Sequence, residues 1–377
     1  MAERIYLDHI SATPVAPQAL AASMPFYETS FAQPTAPHQM GQELFSSIKT
    51  SQTQLYDFFG ASPEAQMVFT SSGAEAIAQV IQTASIELFR KRGKNHFVAR
   101  AIDDAPSVLA LSSLEQEGGF LCLAPCSKRG FVTKEALIDS ISARTALISV
   151  SSVCALTGVI QPLEEIAEVC KQRAIWLHVD ATHTVGKMPL SFSEMPCDFL
   201  TVDGQGVHAP VGTGVLFAKK EIPLHPLLMA RPFNMAGFVA LGYAAELSKD
   251  WQSLYCTEVC RLRGLLESGI KELYPEAQVL FEDEERLPNV TAIAFPGIHS
   301  ELLAYALNRK GVFACMGGGP FQQMERVLTS CGIDPALART SLSFSLSKDT
   351  QEQEIERAIA IIGDVTKRLR KLSKAFV

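Results

Sequence analysis

The chain alternates short, continuously apolar runs with longer stretches in which apolar residues recur every three to four positions. The apolar runs predict strands at Gln66–Thr70, His96–Arg100, Phe120–Ala124, Ala146–Ser151, Ile175–Asp180, Asp198–Asp203 and Gly214–Ala218. Helical spacing between them predicts helices such as Gly41–Phe59, Ala74–Phe89 and Leu163–Arg173. Strands that are apolar on both faces and separated by helices imply a parallel sheet covered on both sides. Only a loop separates the last two strands, which predicts an antiparallel edge. A long helix is expected from Ala236 to Leu273, with an interruption.

Beyond that helix the pattern changes. Strands are expected at Val290–Phe295, Val312–Cys315 and Ser341–Leu346, and helices at Ser300–Arg309 and Glu352–Leu372. In the last helix Ile355, Ile359, Ile362 and Val365 form one apolar stripe, so one face packs on a core. The expected class is α/β, with a mostly parallel seven-stranded sheet in a large domain and a smaller α+β C-terminal domain. The expected units are an arm over residues 1–15 that packs with the small domain, a large domain over 16–245 and the small domain over 246–377. A length of 377 residues suits two such domains.

Composition excludes some partners. Net charge is −7 and no Lys/Arg block stands out, so nucleic acid and anionic membranes are not expected. The N-terminus lacks an apolar signal segment, and no apolar run reaches the ~18 residues of a membrane span. The nine cysteines form no Cys-x-x-Cys pair, and Cys256 and Cys260 have no third ligand nearby. A reducing cytoplasm and no metal site are the expectations.

Ligands of open α/β sheets sit beyond the carboxyl ends of the strands. The segments to inspect are therefore Ser71–Ala74, Asp103–Ser107, Ser152–Thr157, Asp180–His183 and Asp203–His208. His178, Asp180 and His183 look like metal ligands, but strand alternation puts the first two on one face and His183 beyond the turn.

An ordered set of motifs then carries a resemblance. Tyr6-Leu7-Asp8 with Ala12-Thr13-Pro14, the turn Phe69 to Ala76, Gly158-Val159-Ile160-Gln161-Pro162, His178 to His183 with Val185-Gly186-Lys187, and Arg286-Leu287-Pro288-Asn289 follow one another along nearly the whole chain. Together they resemble the cysteine desulfurases, of the class V aminotransferase-like branch of enzymes that use pyridoxal phosphate (PLP). The resemblance implies PLP-dependent transferase fold type I and a homodimer. It also implies sulfur chemistry with a protein partner, as in iron–sulfur cluster assembly.

The residues of that chemistry are largely missing. The family's imine-forming lysine falls on Gly206, within Asp203-Gly204-Gln205-Gly206, and a glycine has no amine. Ser71, Ser72 and Gly73 still open a helix that holds anions, but Ala74 replaces the family threonine. Asp203 and Gln205 replace a serine and a histidine, and a carboxylate at Asp203 repels phosphate. The ring-stacking histidine is absent from Asp103-Asp104-Ala105-Pro106, and the ring-binding asparagine falls on Ala155. The substrate-binding arginine falls on Ser343, with Arg339 nearby in sequence. The nucleophilic cysteine falls near Pro320, and Cys315 is a weak substitute as persulfide carrier. Asp180 survives at the position that pairs with the pyridine nitrogen, followed by His183 in place of glutamine.

The expected function is a desulfurase-like pseudoenzyme acting as a binding or regulatory scaffold. Its degenerate pocket comprises Ser71, Ser72, Gly73, Asp180, His183, Asp203 and Gln205. No cofactor is expected, and PLP would bind only non-covalently. The alternatives are a PLP-dependent desulfurase or related transferase, and an unorthodox enzyme that takes another phosphorylated small molecule.

Overall fold

The computed structural model describes residues 4–228, 233–318 and 323–375. The strands are β1 (Ile5–Tyr6), β2 (Gln66–Thr70), β3 (His96–Arg100), β4 (Phe120–Ala124), β5 (Thr145–Ser151) and β6 (Trp176–Asp180), then β7 (Phe199–Asp203), β8 (Gly214–Ala218), β9 (Gln278–Leu280), β10 (Val290–Ala294), β11 (Val312–Phe313) and β12 (Ser341–Ser345). Seven of them form one sheet in the order β2-β8-β7-β6-β5-β3-β4. β8 runs antiparallel to both of its neighbours, and the other strands share one direction. This is the fold class expected from the sequence. All seven positions of β5 are buried, as a central strand covered on both faces requires.

Two apolar layers cover the sheet. One gathers Leu55, Phe58, Val98, Ile148, Leu200 and Leu241, and the other Ile77, Ile81, Phe97, Leu147 and Leu216. A separate core holds the smaller unit, an antiparallel sheet β12-β10-β9 packed under the helix Cys260–Leu273 and the final helix Glu352–Ala375. Ile355, Ile362 and Val365 of the final helix are buried in that core, as the stripe predicted, while Ile359 packs at its edge.

The N-terminal arm joins this smaller unit. β1 pairs in parallel with β11, and Asp8 bridges to Ser345. The arm then turns toward the large sheet, where Ala16 N–H donates to the His208 carbonyl at 2.8 Å.

Some local expectations change. The interruption of the long helix is a single widened turn at Tyr255–Val259 between Met235–Leu254 and Cys260–Leu273, so the chain stays helical through residues 245 and 246. A similar wide turn, Ser85–Arg90, ends the helix Gly73–Ala84. The helix expected from Gly41 starts at Phe45, because Gly41 lies in a separate turn packed against the Ala36 carbonyl. β11 stops at Phe313, and Cys315 makes only an isolated bridge to Ser343. The short elements β1, β9, Ala105–Ser113 and Met324–Ser330 carry too few apolar repeats to announce themselves.

Candidate active-site cavity

Five chain segments meet beyond the carboxyl ends of the parallel strands. Gly73 and Ala74 follow β2, Asp104 follows β3, Asp180 ends β6, Asp203 ends β7, and His9 to Thr13 arrive from the arm. They enclose a cavity of about 260 Å³ whose walls also include Thr182, His183, Lys187, Gln205 and Gly206. That is slightly below the usual ligand-pocket range of about 300–1,000 Å³. A larger cleft of about 690 Å³, lined in part by Arg129, Gln161 and Glu284, shares none of these residues.

At the mouth of the helix Gly73–Ala84, Ser72 is extended and caps the first turn, its Oγ accepting from Glu75 N–H at 3.1 Å. A helix N-terminus presents unpaired amides and a partial positive charge, and so attracts anions. Here the anions are the chain's own carboxylates. Gly73 N–H donates to Asp203 Oδ2 at 2.9 Å, and Asp203 Oδ1 accepts from Gln205 N–H at 3.0 Å. Ser71 N–H donates to Glu75 Oε2 at 2.7 Å, and Ser71 Oγ donates to the same oxygen. Gly73 permits the approach, since a Cβ there would lie 3.0 Å from Asp203 Cβ. Asp203 is thus more than a repulsive charge. It occupies the place a bound anion would take.

Gly206 also has a packing reason. A Cβ at this position would fall 2.4 Å from the Thr182 carbonyl oxygen and 2.6 Å from Val185 Cγ1. No side chain fits without moving the turn after β6. The cavity nevertheless contains an amine that sequence spacing missed. Lys187 is buried, with Nζ 3.5 Å from the Gly206 carbonyl, and no carboxylate pairs with it among the described residues. Burial lowers its pKa to about 8. The signal was the Val185-Gly186-Lys187 motif, in which Gly186 holds a left-handed conformation (φ 72°) and turns the chain so that Lys187 lies back beside Gly206.

Asp180 is buried at the cavity wall. Its Oδ1 accepts from Thr182 N–H at 3.1 Å and Thr182 Oγ1 at 2.7 Å. Burial raises its pKa to about 6, against the lowering effect of those hydrogen bonds and of His183. Thr182 Oγ1 in turn accepts from Asp203 N–H at 3.0 Å, which ties the two acids into one turn. His183 Nε2 pairs with Asp104 Oδ2 at 3.0 Å, and both residues line the cavity. His178 points away into the sheet, with Nδ1 on Ser149 Oγ and Nε2 on Thr201 Oγ1, both at 2.8 Å. Its two nitrogens are used, and no group of three metal-binding side chains occurs among the described residues.

The remaining sequence candidates lie elsewhere. Ser71 and Ser72 serve the helix cap and do not line the cavity. Cys315 is buried beside the arm, its sulfur accepting from Gly317 N–H at 3.2 Å, and burial pushes the thiol up to about 11. A thiol held protonated is a poor sulfur nucleophile. Pro320 and Gly319, where the family loop cysteine would fall, are outside the described residues. Arg339 is exposed and paired with Glu325 at 2.7 Å, so it does not replace the arginine lost at Ser343. Ala155 is buried in a small apolar cluster.

These residues do not fit PLP as the resemblance implies it would be held. The amine position admits no side chain, the anion cup is filled by a carboxylate, and Asp104, Asp180 and Asp203 crowd the cavity.

Comparison with known proteins places this geometry in context. Residues 5–239 match the family described as aminotransferase class-V. The chain is 31% identical over 381 aligned positions to a cysteine desulfurase of Nostoc sp., covering 98% of this chain and 94% of that protein. It is 30% identical to the cysteine desulfurase NifS of Azotobacter vinelandii, with 98% and 94% covered. A solved NifS-like protein superposes with a TM-score of 0.90 at 26% identity, covering 97% of this chain and 100% of the other.

Proposed function

We propose that this chain, which belongs to the class-V aminotransferase family and to its cysteine desulfurase branch, works without PLP catalysis as a binding or regulatory scaffold. The family is PLP-dependent, so the reading concerns what this member has given up. The observation that carries it is the Asp203 carboxylate on the Gly73 amide. A phosphate entering there must expel a covalently tethered anion or share the cup with a like charge. Gly206 supports the same reading, because the turn has closed over the lysine position. Loss of function alone does not require a substitute ligand of this kind.

The family homodimer and a protein partner in sulfur transfer are carried over as part of the proposal, as is a cytoplasmic site of action. No described helix is long and apolar enough to cross a membrane. Sulfide release from L-cysteine, assayed with added PLP and a thiol reductant, tests the proposal. Release at the buffer rate supports it, and turnover by the purified chain ends it.

Lys187 favours a second reading. Its buried amine is available to a carbonyl ligand that carries no phosphate and so does not need the blocked cup. Borohydride treatment with pyridoxal, the unphosphorylated aldehyde, would label the Lys187 peptide under this reading. The scaffold reading expects no labelled peptide.

A further inference from the structure

The larger cleft lies away from the active-site cavity. Its volume of about 690 Å³ falls within the usual ligand-pocket range of about 300–1,000 Å³. Four segments build it: the loop after β4 with Arg129, residues 160–164 after β5, residues 184–196 after β6, and residues 283–285 between β9 and β10. The large sheet and the smaller unit are pinned together at its edge. Arg129 Nε and Nη2 donate to the two carboxylate oxygens of Glu284, both at 2.8 Å. Ile160 N–H donates to the Glu285 carbonyl at 2.9 Å, and Val159 bridges to Arg286. A cleft formed in advance lowers the ordering cost of binding.

The floor of the cleft is apolar. Leu163, Leu190 and Met195 pack on the core of the large sheet, and Ile160 and Met188 pack on the small cluster around Val153 and Leu287. All five remain half-buried. Two thioether side chains let such a floor adapt to the shape laid on it. The rim is acidic. Glu164, Glu194, Asp283 and Glu285 are exposed, and their side chains have no hydrogen bond or ion pair among the described residues. Arg129 is the one cationic side chain among the lining residues, and Glu284 takes its fork. The four rim carboxylates therefore keep their charge uncompensated. An apolar floor beneath such a rim complements a segment that is apolar on one side and cationic on the other.

We propose that this cleft docks a basic, amphipathic peptide segment of a partner protein. Its apolar side chains seat on Met188, Leu190 and Met195, and its Lys or Arg side chains meet Glu164, Glu194, Asp283 and Glu285. The scaffold reading leaves the protein partner open, and this cleft gives that partner a chemistry. The site shares no residue with the active-site cavity, so it holds whether or not the chain binds PLP.

The test uses the full chain and a short fluorescent peptide that alternates lysine and leucine. Binding is read by anisotropy at about 0.15 M salt, where long-range charge attraction is screened. Peptides with serine in place of leucine, or glutamate in place of lysine, should bind about tenfold or more weakly. Glu194→Lys combined with Asp283→Lys should weaken the lysine–leucine peptide about tenfold or more. Glu28→Lys combined with Glu301→Lys, an equal charge change at exposed positions outside the cleft, should leave its affinity within about twofold. Circular dichroism establishes that the variants fold. A peptide carrying benzoylphenylalanine for one leucine should crosslink to Met188 or Met195 under light. No binding of the lysine–leucine peptide, equal binding of the serine peptide, equal weakening by both double variants, or crosslinks confined to other surfaces overturns the proposal.

Discussion

Replacing Asp203 by alanine removes the anion that the chain supplies to its own helix. In the native protein this carboxylate accepts from two amides, Gly73 at 2.9 Å and Gln205 at 3.0 Å. Hydrogen bonds to a charged group contribute about 1.5–3 kcal/mol each when buried. The cavity admits water, which takes over part of that role, so D203A should lose roughly 1–3 kcal/mol in urea unfolding. The gain is in anion binding. A unit charge pair at 4 Å interacts by about 4 kcal/mol at an effective dielectric of 20. Removing the carboxylate also frees the helix terminus, worth about 0.3–2 kcal/mol toward an anion. D203A should therefore bind inorganic phosphate about 10- to 1,000-fold more tightly than the native chain by calorimetric titration. D203N keeps an acceptor oxygen for Gly73 without the charge, and should fall between the two. A native chain that already binds phosphate as tightly as folded D203A would refute the reasoning.

Other changes test neighbouring parts of the same site. Gly206→Ala places a Cβ 2.4 Å from the Thr182 carbonyl and should cost about 1–3 kcal/mol, read by urea unfolding, with Gly206→Lys costing more and restoring no desulfurase turnover. Asp180, raised from 3.8 to about 6, holds in the folded state a proton that the unfolded chain has released. Its contribution to stability therefore falls as pH rises from about 4 to about 6, by roughly 2–3 kcal/mol, and D180N should flatten that slope. Lys187 carries the opposite sign. Lowered from 10.5 to about 8, it is neutral in the folded chain while the unfolded chain is still charged, so stability climbs between about pH 8 and 10.5. K187M should abolish that climb and be as stable as the native chain or more so at pH 7, measured by the same unfolding series.

The large sheet was readable because its strands carry their own signature. β8 is apolar at every position, and β5 carries the run Ala146–Ile148 with Val150, as strands buried on both faces favour. The final helix announced itself through its stripe of isoleucines. β1 and β11 did not, because two-residue strands hold too little periodicity and are fixed by pairing with each other. The site was half legible. Asp180, Asp203, Gln205, Gly206 and Gly73 stand at or just past the carboxyl ends of predicted strands, and they do line one cavity. The partner of Asp203 was not legible, since nothing in the local sequence says that an acid after β7 will reach an amide after β2, 130 residues earlier. Lys187 was missed for a related reason. Lys187 lies 19 residues before Gly206 in sequence, and only the left-handed turn at Gly186 brings its amine back to that position. His178 was suspected as a ligand, but its two hydroxyl partners come from β5 and β7 and are visible only once the strands are aligned.

An anion cup that is already full and an imine position that is closed both oppose covalent PLP binding. Incubation of the native chain with excess PLP, reduction with borohydride and intact-mass measurement reads both at once. An unchanged mass, with no pyridoxyl peptide after digestion, is the predicted result. A stoichiometric pyridoxyl adduct on any lysine, Lys187 first among them, would contradict it.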